Sequence, residues 1–118
     1  MAGTEQLMPS ELSGGMKKRI GIARAIAIEP DYLFYDEPTT GLDPIMTDSI
    51  NRLIRKFQQK NNVTSLIVTH EMRTVYDVAE RVIMLDEGKI VFDGTPTDIE
   101  KSDDKIVQQF VKGDSTLV

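Results

Sequence analysis

Two adjacent acidic residues, Asp36 and Glu37, directly follow a short apolar run in the chain. One carboxylate in such a place can hold a hydrated Mg²⁺, because this ion prefers oxygen ligands and keeps several waters. The other can orient a water molecule or accept a proton from it. Two solvated acids at a strand end are the commoner case for an arbitrary Asp-Glu pair. The apolar run before the pair and the Pro-Thr-Thr-Gly-Leu-Asp-Pro segment after it favour a chemical role.

A polar, glycine-rich segment, Leu12-Ser13-Gly14-Gly15-Met16, precedes a helical pattern. Backbone N–H groups at the start of a helix, together with the helix dipole, form a site for an anion. Ser13 can cap the helix or donate its hydroxyl to a phosphate oxygen. An ordinary loop with a helix cap is the alternative, and Ser-Gly-Gly alone does not decide between the two.

The single histidine, His70, closes a second apolar run. A lone histidine is more often structural. At the carboxyl end of a strand beside the acidic one, however, it can hydrogen-bond a phosphate or position a water. The basic cluster Lys17-Lys18-Arg19 is interpreted as a solvated helix face, and the Met and Ile stripes on the helices are interpreted as core.

Strand and helix patterns alternate around these residues. Residues 16–28 have apolar spacing typical of a helix, and the runs 32–35 and 63–69 are typical of buried parallel strands. Asp43 and Pro44 predict the N-cap and first residue of a helix between the two strands. The order predicts an α/β domain with a parallel sheet, in which ligands bind beyond the carboxyl ends of the strands. The two acids and the histidine are therefore predicted to lie at one edge of the sheet.

The rest of the chain continues with short elements. A helix is predicted over residues 71–79, followed by a β-hairpin formed by residues 82–85 and 90–92. Residues 95–98 resemble the start of a capped helix. A helical C-terminal extension is predicted over about 95–118.

Composition narrows the function classes. The 118 residues allow one domain. A net charge of −5 argues against a nucleic-acid partner, which would need a basic face. The absence of cysteine excludes disulfides, thiolate zinc sites and a cysteine nucleophile. The longest apolar runs are far shorter than the ~20 residues of a spanning helix, so no direct membrane insertion is predicted.

Four motifs, in this order, resemble those of ABC-type ATPases. Leu12-Ser13-Gly14-Gly15 resembles their signature motif, and residues 32–37 are similar to their Walker B strand with its following glutamate. Gly41-Leu42-Asp43-Pro44 is similar to the D-loop, and His70 is similar to the switch histidine. The resemblance covers residues 9–97, about three quarters of the chain.

The resemblance implies ATP hydrolysis with ATP and Mg²⁺ as cofactors. Asp36 would organise Mg²⁺ through water, Glu37 would polarise the attacking water, and His70 would contact the γ-phosphate. Such catalysis consists mostly of positioning and charge neutralisation.

The resemblance also implies partners. Ser13, Gly14 and Gly15 would bind the γ-phosphate held by a second ATPase subunit, and Asp43 would communicate across that dimer interface. Membrane-spanning permease subunits would be the other partners. The protein is therefore expected in the cytoplasm, peripheral on the inner face of the cytoplasmic membrane.

Three features are most similar to the lipid-asymmetry (Mla), toluene-tolerance subgroup of this family, which energises phospholipid transfer between membranes. They are Met16 where many members carry glutamine, the Tyr35-Asp36-Glu37 form of Walker B, and residues 108–113. The expected function is the energy-coupling subunit of a bacterial phospholipid or organic-solvent-resistance transporter. The alternatives are a non-transport ABC ATPase and a non-catalytic docking or dimerisation fragment.

One motif of the family does not occur in the chain. No Gly-x-x-x-x-Gly-Lys-Ser/Thr is found in the 118 residues, although this P-loop and its lysine hold the β- and γ-phosphates. Residues 1–118 are therefore expected to form the C-terminal half of an ABC ATPase domain, a partial P-loop NTPase fold without its P-loop strand. Alone, it is expected neither to bind ATP tightly nor to hydrolyse it.

The P-loop strand is central in folds resembling this family, so its absence would leave two exposed sheet edges. Such edges favour pairing with other chains, and a marginal fold or pairing with another copy is expected. The rival expectation is that the strand over residues 82–85 closes directly against the strand that ends at His70.

Overall fold

A computed structural model describes residues 14–60 and 62–116, and the elements group into two units with the boundary between Thr69 and His70. The predicted α/β class is confirmed, with one parallel strand pair and a C-terminal antiparallel hairpin. The elements are α1 Gly14–Ala27, β1 Tyr32–Asp36, α2 Pro44–Lys60, β2 Thr64–Val68, α3 Met72–Val78, β3 Val82–Asp86, β4 Lys89–Gly94, α4 Pro96–Glu100 and α5 Lys105–Thr116.

The first unit contains the predicted strand–helix–strand crossover. β1 and β2 pair in parallel, from Tyr32 opposite Thr64 to Asp36 opposite Val68. The connecting helix α2 begins at Pro44, as predicted. The backbone N–H of Met46 donates to Oδ1 of Asp43 at 2.8 Å, so the aspartate side chain satisfies one of the N–H groups that the first helical turn leaves unpaired.

The core of this unit lies along α2. Ile50, Ile54 and Phe57 of that helix are buried, as are Tyr35 of β1 and Val63 just before β2. The spacing of Ile50, Ile54 and Phe57, at four and three residues, places these side chains on one face of α2. The predicted apolar stripe of α2 is therefore core.

The β1–β2 sheet is open on one face, which corrects the prediction of strands buried on both faces. Tyr32 is 79% exposed, Phe34 59% and Leu66 61%, whereas Tyr35 is buried. Both faces of a parallel sheet are buried only when other elements cover each of them. The described part of this unit supplies α1 and α2 as its helices, and one face stays in solvent.

The apolar stripe of α1 also departs from prediction. Met16 and Ile20 are only half-buried, and Ile28, just beyond the helix, is 79% exposed. In α1, Gly15 is the buried residue. The contact of α1 with α2 thus forms at the start of the helix, and the stripe itself is not core.

The second unit is built on the predicted hairpin. β3 and β4 pair antiparallel around Glu87 and Gly88, whose φ angles are +48° and +76°. Two central residues with positive φ are what a tight two-residue hairpin turn requires. Arg81 and Asp93 pair across the hairpin's open end through two hydrogen bonds of 2.8 and 2.6 Å. These bonds hold the pKa of the Asp93 carboxyl below its usual range.

Helices α4 and α5 complete the second unit. Ile99 and Val107 are fully buried and pack with Met84 of β3. The predicted helix start over residues 95–98 is confirmed. The side chains of Thr95 and Asp98 exchange hydrogen bonds with each other's backbone N–H, both at 3.1 Å, forming a capping box.

The described strands form two separate two-stranded sheets, β1–β2 and β3–β4. The expectation that the 82–85 strand closes directly against the strand that ends at His70 stays a prediction. Within the second unit, β3 pairs with β4, its neighbour along the chain, because a two-residue turn brings these strands together at little entropic cost. Among the described helices, none combines the length and the apolar character needed to cross a membrane.

Candidate functional site

The two acids lie at the carboxyl end of the parallel strand pair. Asp36 is the last residue of β1 and is exposed, and Glu37 follows it half-buried. The backbone N–H of Glu37 donates to the carbonyl oxygen of Val68 at 2.7 Å. Pairing with β2 therefore continues one residue beyond β1, and it fixes the start of the loop that carries Glu37.

Glu37 has an unusual backbone conformation. Its φ is +47°, in the left-handed region that residues other than glycine seldom adopt. The loop after it is compact: the N–H of Thr40 donates to the carbonyl oxygen of Glu37 at 3.4 Å, and Pro38 and Thr39 are buried. Strained backbone persists where the surrounding structure holds it in place, and such positions are frequent at functional sites.

Lys18 reaches this loop from α1. Its Nζ donates to the carbonyl oxygen of Glu37 at 3.0 Å and to that of Thr40 at 2.9 Å. The neighbouring Arg19 donates a hydrogen bond from its guanidinium to Oγ of Ser49 in α2. The prediction that these two basic residues belong to a solvated helix face is therefore wrong.

The sequence does contain a signal for these contacts. Lys18 and Arg19 follow the buried Gly15 by three and four positions, and residues with that spacing lie on the same face of a helix. Lys17 lies off that face and is exposed, as predicted.

The two glycines are the first two residues of α1, where backbone N–H groups have no partner within the helix. A Cβ on Gly15 would lie 2.4 Å from Cε of Met46, whereas a Cβ on Gly14 would find its nearest neighbour at 3.8 Å, Cδ2 of Leu42. A side chain at position 15 would therefore press against Met46 of α2, whereas position 14 has room for one. Ser13, the third residue predicted to bind phosphate, lies outside the described residues.

Asp43 and His70 occupy different units. The Asp43 carboxylate is used in capping α2. His70 is exposed, follows β2 by two residues and begins the second unit. Their predicted roles, at a dimer interface and on the γ-phosphate, stay predictions.

The described residues fit a magnesium ion that is shared with a substrate. They contain no group of three or more His, Cys, Asp or Glu side chains that could enclose a metal. Mg²⁺ does not need one, because it is commonly bound by one or two carboxylates, substrate phosphates and water. The exposed carboxylate of Asp36, with Glu37 beside it, suits that arrangement.

A shallow cleft of about 240 Å³ runs beside β1 and α1, and Lys18, Phe34, Asp36 and Pro38 contribute to its wall. Ligand pockets usually measure ~300–1,000 Å³, so this cleft is small for a nucleotide. Tyr35 also contributes to the wall, and its buried hydroxyl has no hydrogen-bond partner among the residues that the structure describes. Burial raises the pKa of Tyr35 to about 12, so it stays neutral beside the acids.

Comparisons with known proteins identify relatives of this chain. A family model for ABC transporters matches residues 2–40, which include α1, β1 and both acids. The intermembrane phospholipid transport system ATP-binding protein MlaF of Haemophilus influenzae is 42% identical over 115 residues, covering 98% of this chain and 44% of that protein. The methionine import ATP-binding protein MetN of Staphylococcus haemolyticus is 43% identical over 113 residues, covering 95% of this chain and 33% of that protein.

A second methionine import ATP-binding protein MetN, from Carboxydothermus hydrogenoformans, is 48% identical over 91 residues, covering 77% of this chain and 27% of that protein. The chain thus spans less than half the length of each of these relatives. The family model matches the region that carries β1 and the two acids, and the first two relatives match almost the whole chain, β2 included. The chain belongs to the ATP-binding subunits of ABC transporters, and it holds part of their ATP-binding domain.

Proposed function

We propose that this chain supplies the water-activating part of an ATPase that energises a bacterial transporter. The observation that carries the proposal is the placement of Glu37. It directly follows the carboxyl end of a parallel strand pair, its N–H is bound to Val68 and its carbonyl is bound by Lys18. In parallel sheets this edge is where ligands bind.

In the proposed reaction, each side chain acts on ATP by position and charge. Asp36 would hold Mg²⁺ through water, and the ion supplies charge neutralisation on the phosphates. Glu37 would orient the water that attacks the γ-phosphate and accept its proton, and His70 would hydrogen-bond the same phosphate. Catalysis of this kind depends on pre-set geometry, which the fixed loop after β1 provides.

The start of α1 would act on a nucleotide held by a second ATPase subunit. Gly14 and Gly15 offer N–H groups without helical partners, and Ser13 would add a hydroxyl. Asp43, just before α2, would communicate across the interface between the two ATPase subunits. Two such subunits would be closed by ATP and released by its hydrolysis, moving membrane-spanning permease subunits on the inner face of the cytoplasmic membrane.

The chain alone is proposed to be inactive. Its 118 residues contain no P-loop sequence, and the cleft beside β1 is smaller than a usual nucleotide pocket. Labelled ATP should therefore bind only weakly to the purified chain. Micromolar binding that Asp36→Asn abolishes would contradict this.

We propose that the transporter moves phospholipid between membranes. The relative named for phospholipid transport matches 98% of this chain at 42% identity, and Met16 and residues 108–113 resemble that subgroup. Relatives named for methionine import match at similar identity, which makes methionine the second candidate. Complementation of transport-deficient strains, one for each cargo, distinguishes the two.

The activity is tested with a chimera in which this chain replaces the matching 115 residues of the Haemophilus influenzae relative. We expect ATP hydrolysis that Glu37→Gln reduces by two orders of magnitude or more, because the amide cannot accept a proton. Glu80→Gln, which alters an exposed acid in the second unit, is the matched control and should leave the rate unchanged. A chimera that folds and binds ATP, but whose rate does not respond to Glu37→Gln, would favour the non-catalytic docking alternative.

A further inference from the structure

Lys18 connects the two parts of the first unit that the proposed reaction uses. It lies one helical turn after the glycine pair that begins α1, and its ammonium group binds the loop that carries Glu37. The two acceptors are the carbonyl oxygens of Glu37 and Thr40, at 3.0 and 2.9 Å. None of the four motifs that resemble those of ABC-type ATPases includes this lysine.

The first of these bonds holds the carbonyl group of Glu37, which is attached to the same Cα as the Glu37 side chain. The φ of Glu37 is +47°, so the backbone of this residue is held in a conformation that residues other than glycine seldom adopt. The N–H of Thr40 also donates to that carbonyl, at 3.4 Å, which is a longer and weaker hydrogen bond. A charged donor makes the stronger hydrogen bond, so Lys18 contributes more than the Thr40 N–H to holding the carbonyl in place.

We propose that Lys18 is a positioning residue for hydrolysis: it fixes the backbone of Glu37 and links that residue to the start of α1. This inference rests on the proposed ATPase function. Lys18 touches neither the water nor the phosphate in this scheme. It keeps the left-handed turn closed, so that the Glu37 carboxylate stays within reach of the attacking water.

The test uses the same chimera with three substitutions. Lys18→Met keeps the length of the side chain and removes its donors. Lys18→Arg keeps charge and donors, and Lys17→Met removes an exposed lysine next to it as the matched control. We expect Lys18→Met to lower kcat about tenfold to hundredfold with KM for ATP within twofold, since small misplacements cost rates of that order. Lys18→Arg should restore most of the rate, and Lys17→Met should leave it unchanged.

A double substitution separates positioning from general stability. If Lys18 acts through Glu37, Lys18→Met should lower single-turnover hydrolysis in the parent and have no further effect once Glu37→Gln is present. Equal losses in both backgrounds would show a merely structural role and overturn the proposal. If Lys18→Met proves too unstable to fold, Lys18→Gln, a shorter neutral donor, is measured in the same cycle.

The outcomes distinguish this proposal from the function on which it rests. A rate that Glu37→Gln abolishes but Lys18→Met leaves intact overturns the positioning role and keeps the ATPase. A rate insensitive to Glu37→Gln overturns the ATPase itself. Hydrogen exchange on the 118-residue chain adds a readout without ATP: Lys18→Met, but not Lys17→Met, should speed exchange of the Thr40 amide about tenfold.

Discussion

Gly15 of α1 is buried against the side chain of Met46 in α2, and a single added methyl group there should destabilise the first unit. The new Cβ would be 2.4 Å from Cε, 2.9 Å from Cγ and 3.1 Å from Cβ of Met46. The end of the methionine side chain can rotate away, but its Cβ moves only with the helix. Forcing extra volume into such a contact typically costs about 1–3 kcal/mol.

Gly14→Ala is the matched control, because its Cβ would meet nothing nearer than 3.8 Å. Both substitutions gain up to about 1 kcal/mol of helix propensity, and this gain cancels in their difference. Gly15→Ala should therefore be less stable than Gly14→Ala by about 1–3 kcal/mol. Urea unfolding of the 118-residue chain measures this as a lower midpoint at unchanged slope.

Met46→Ala provides the second control. It removes the Cγ and Cε that the new methyl group would strike, so the penalty of Gly15→Ala should shrink in that background by about 1 kcal/mol or more. Equal midpoints for Gly14→Ala and Gly15→Ala, or a penalty unchanged by Met46→Ala, would refute the close contact as the reason for glycine at this position.

Three further outcomes are expected. Asp43→Ala should lower the free energy of unfolding by about 1 kcal/mol, with Asp43→Asn close to the parent, because the cap on α2 is lost only in the first variant. Ile99→Ala should cost about 2–5 kcal/mol in the second unit, measured by hydrogen exchange of the β3–β4 amides. Burial raises the pKa of Tyr35 from 10.0 to about 12, so between these pH values the folded state keeps the phenol proton while the unfolded state loses it. Stability should therefore fall by about 2 kcal/mol as pH rises from 10 to 12, and Tyr35→Phe should remove that part of the loss.

Elements with local signals were predictable from the sequence. Asp43 followed by Pro44 marks a helix start, Thr95 and Asp98 form a capping box, and Glu87-Gly88 permits a tight hairpin turn; the structure contains all three. Each depends on interactions between residues a few positions apart. The parallel pairing of β1 with β2 also followed, because the alternation of strand and helix leaves few other topologies.

Features that depend on contacts distant in sequence were harder to predict. The bond from Lys18 to Thr40 joins residues 22 positions apart, and neither residue type is unusual where it stands. The open face with Phe34 and Leu66 was missed for a related reason. An apolar run shows that a strand can be buried on both faces, but burial also needs elements to cover them.

The left-handed backbone at Glu37 has a consequence for how substitutions at this position sort in a mutational scan. Glycine relieves the conformational cost and asparagine adopts this region more readily than most residues, so both should be tolerated or favoured for abundance. Valine and isoleucine should lose abundance, because branching at Cβ clashes with the backbone there. Selection for folded protein and selection for turnover should therefore rank the side chains at position 37 in different orders, with glutamate retained at a cost to the fold.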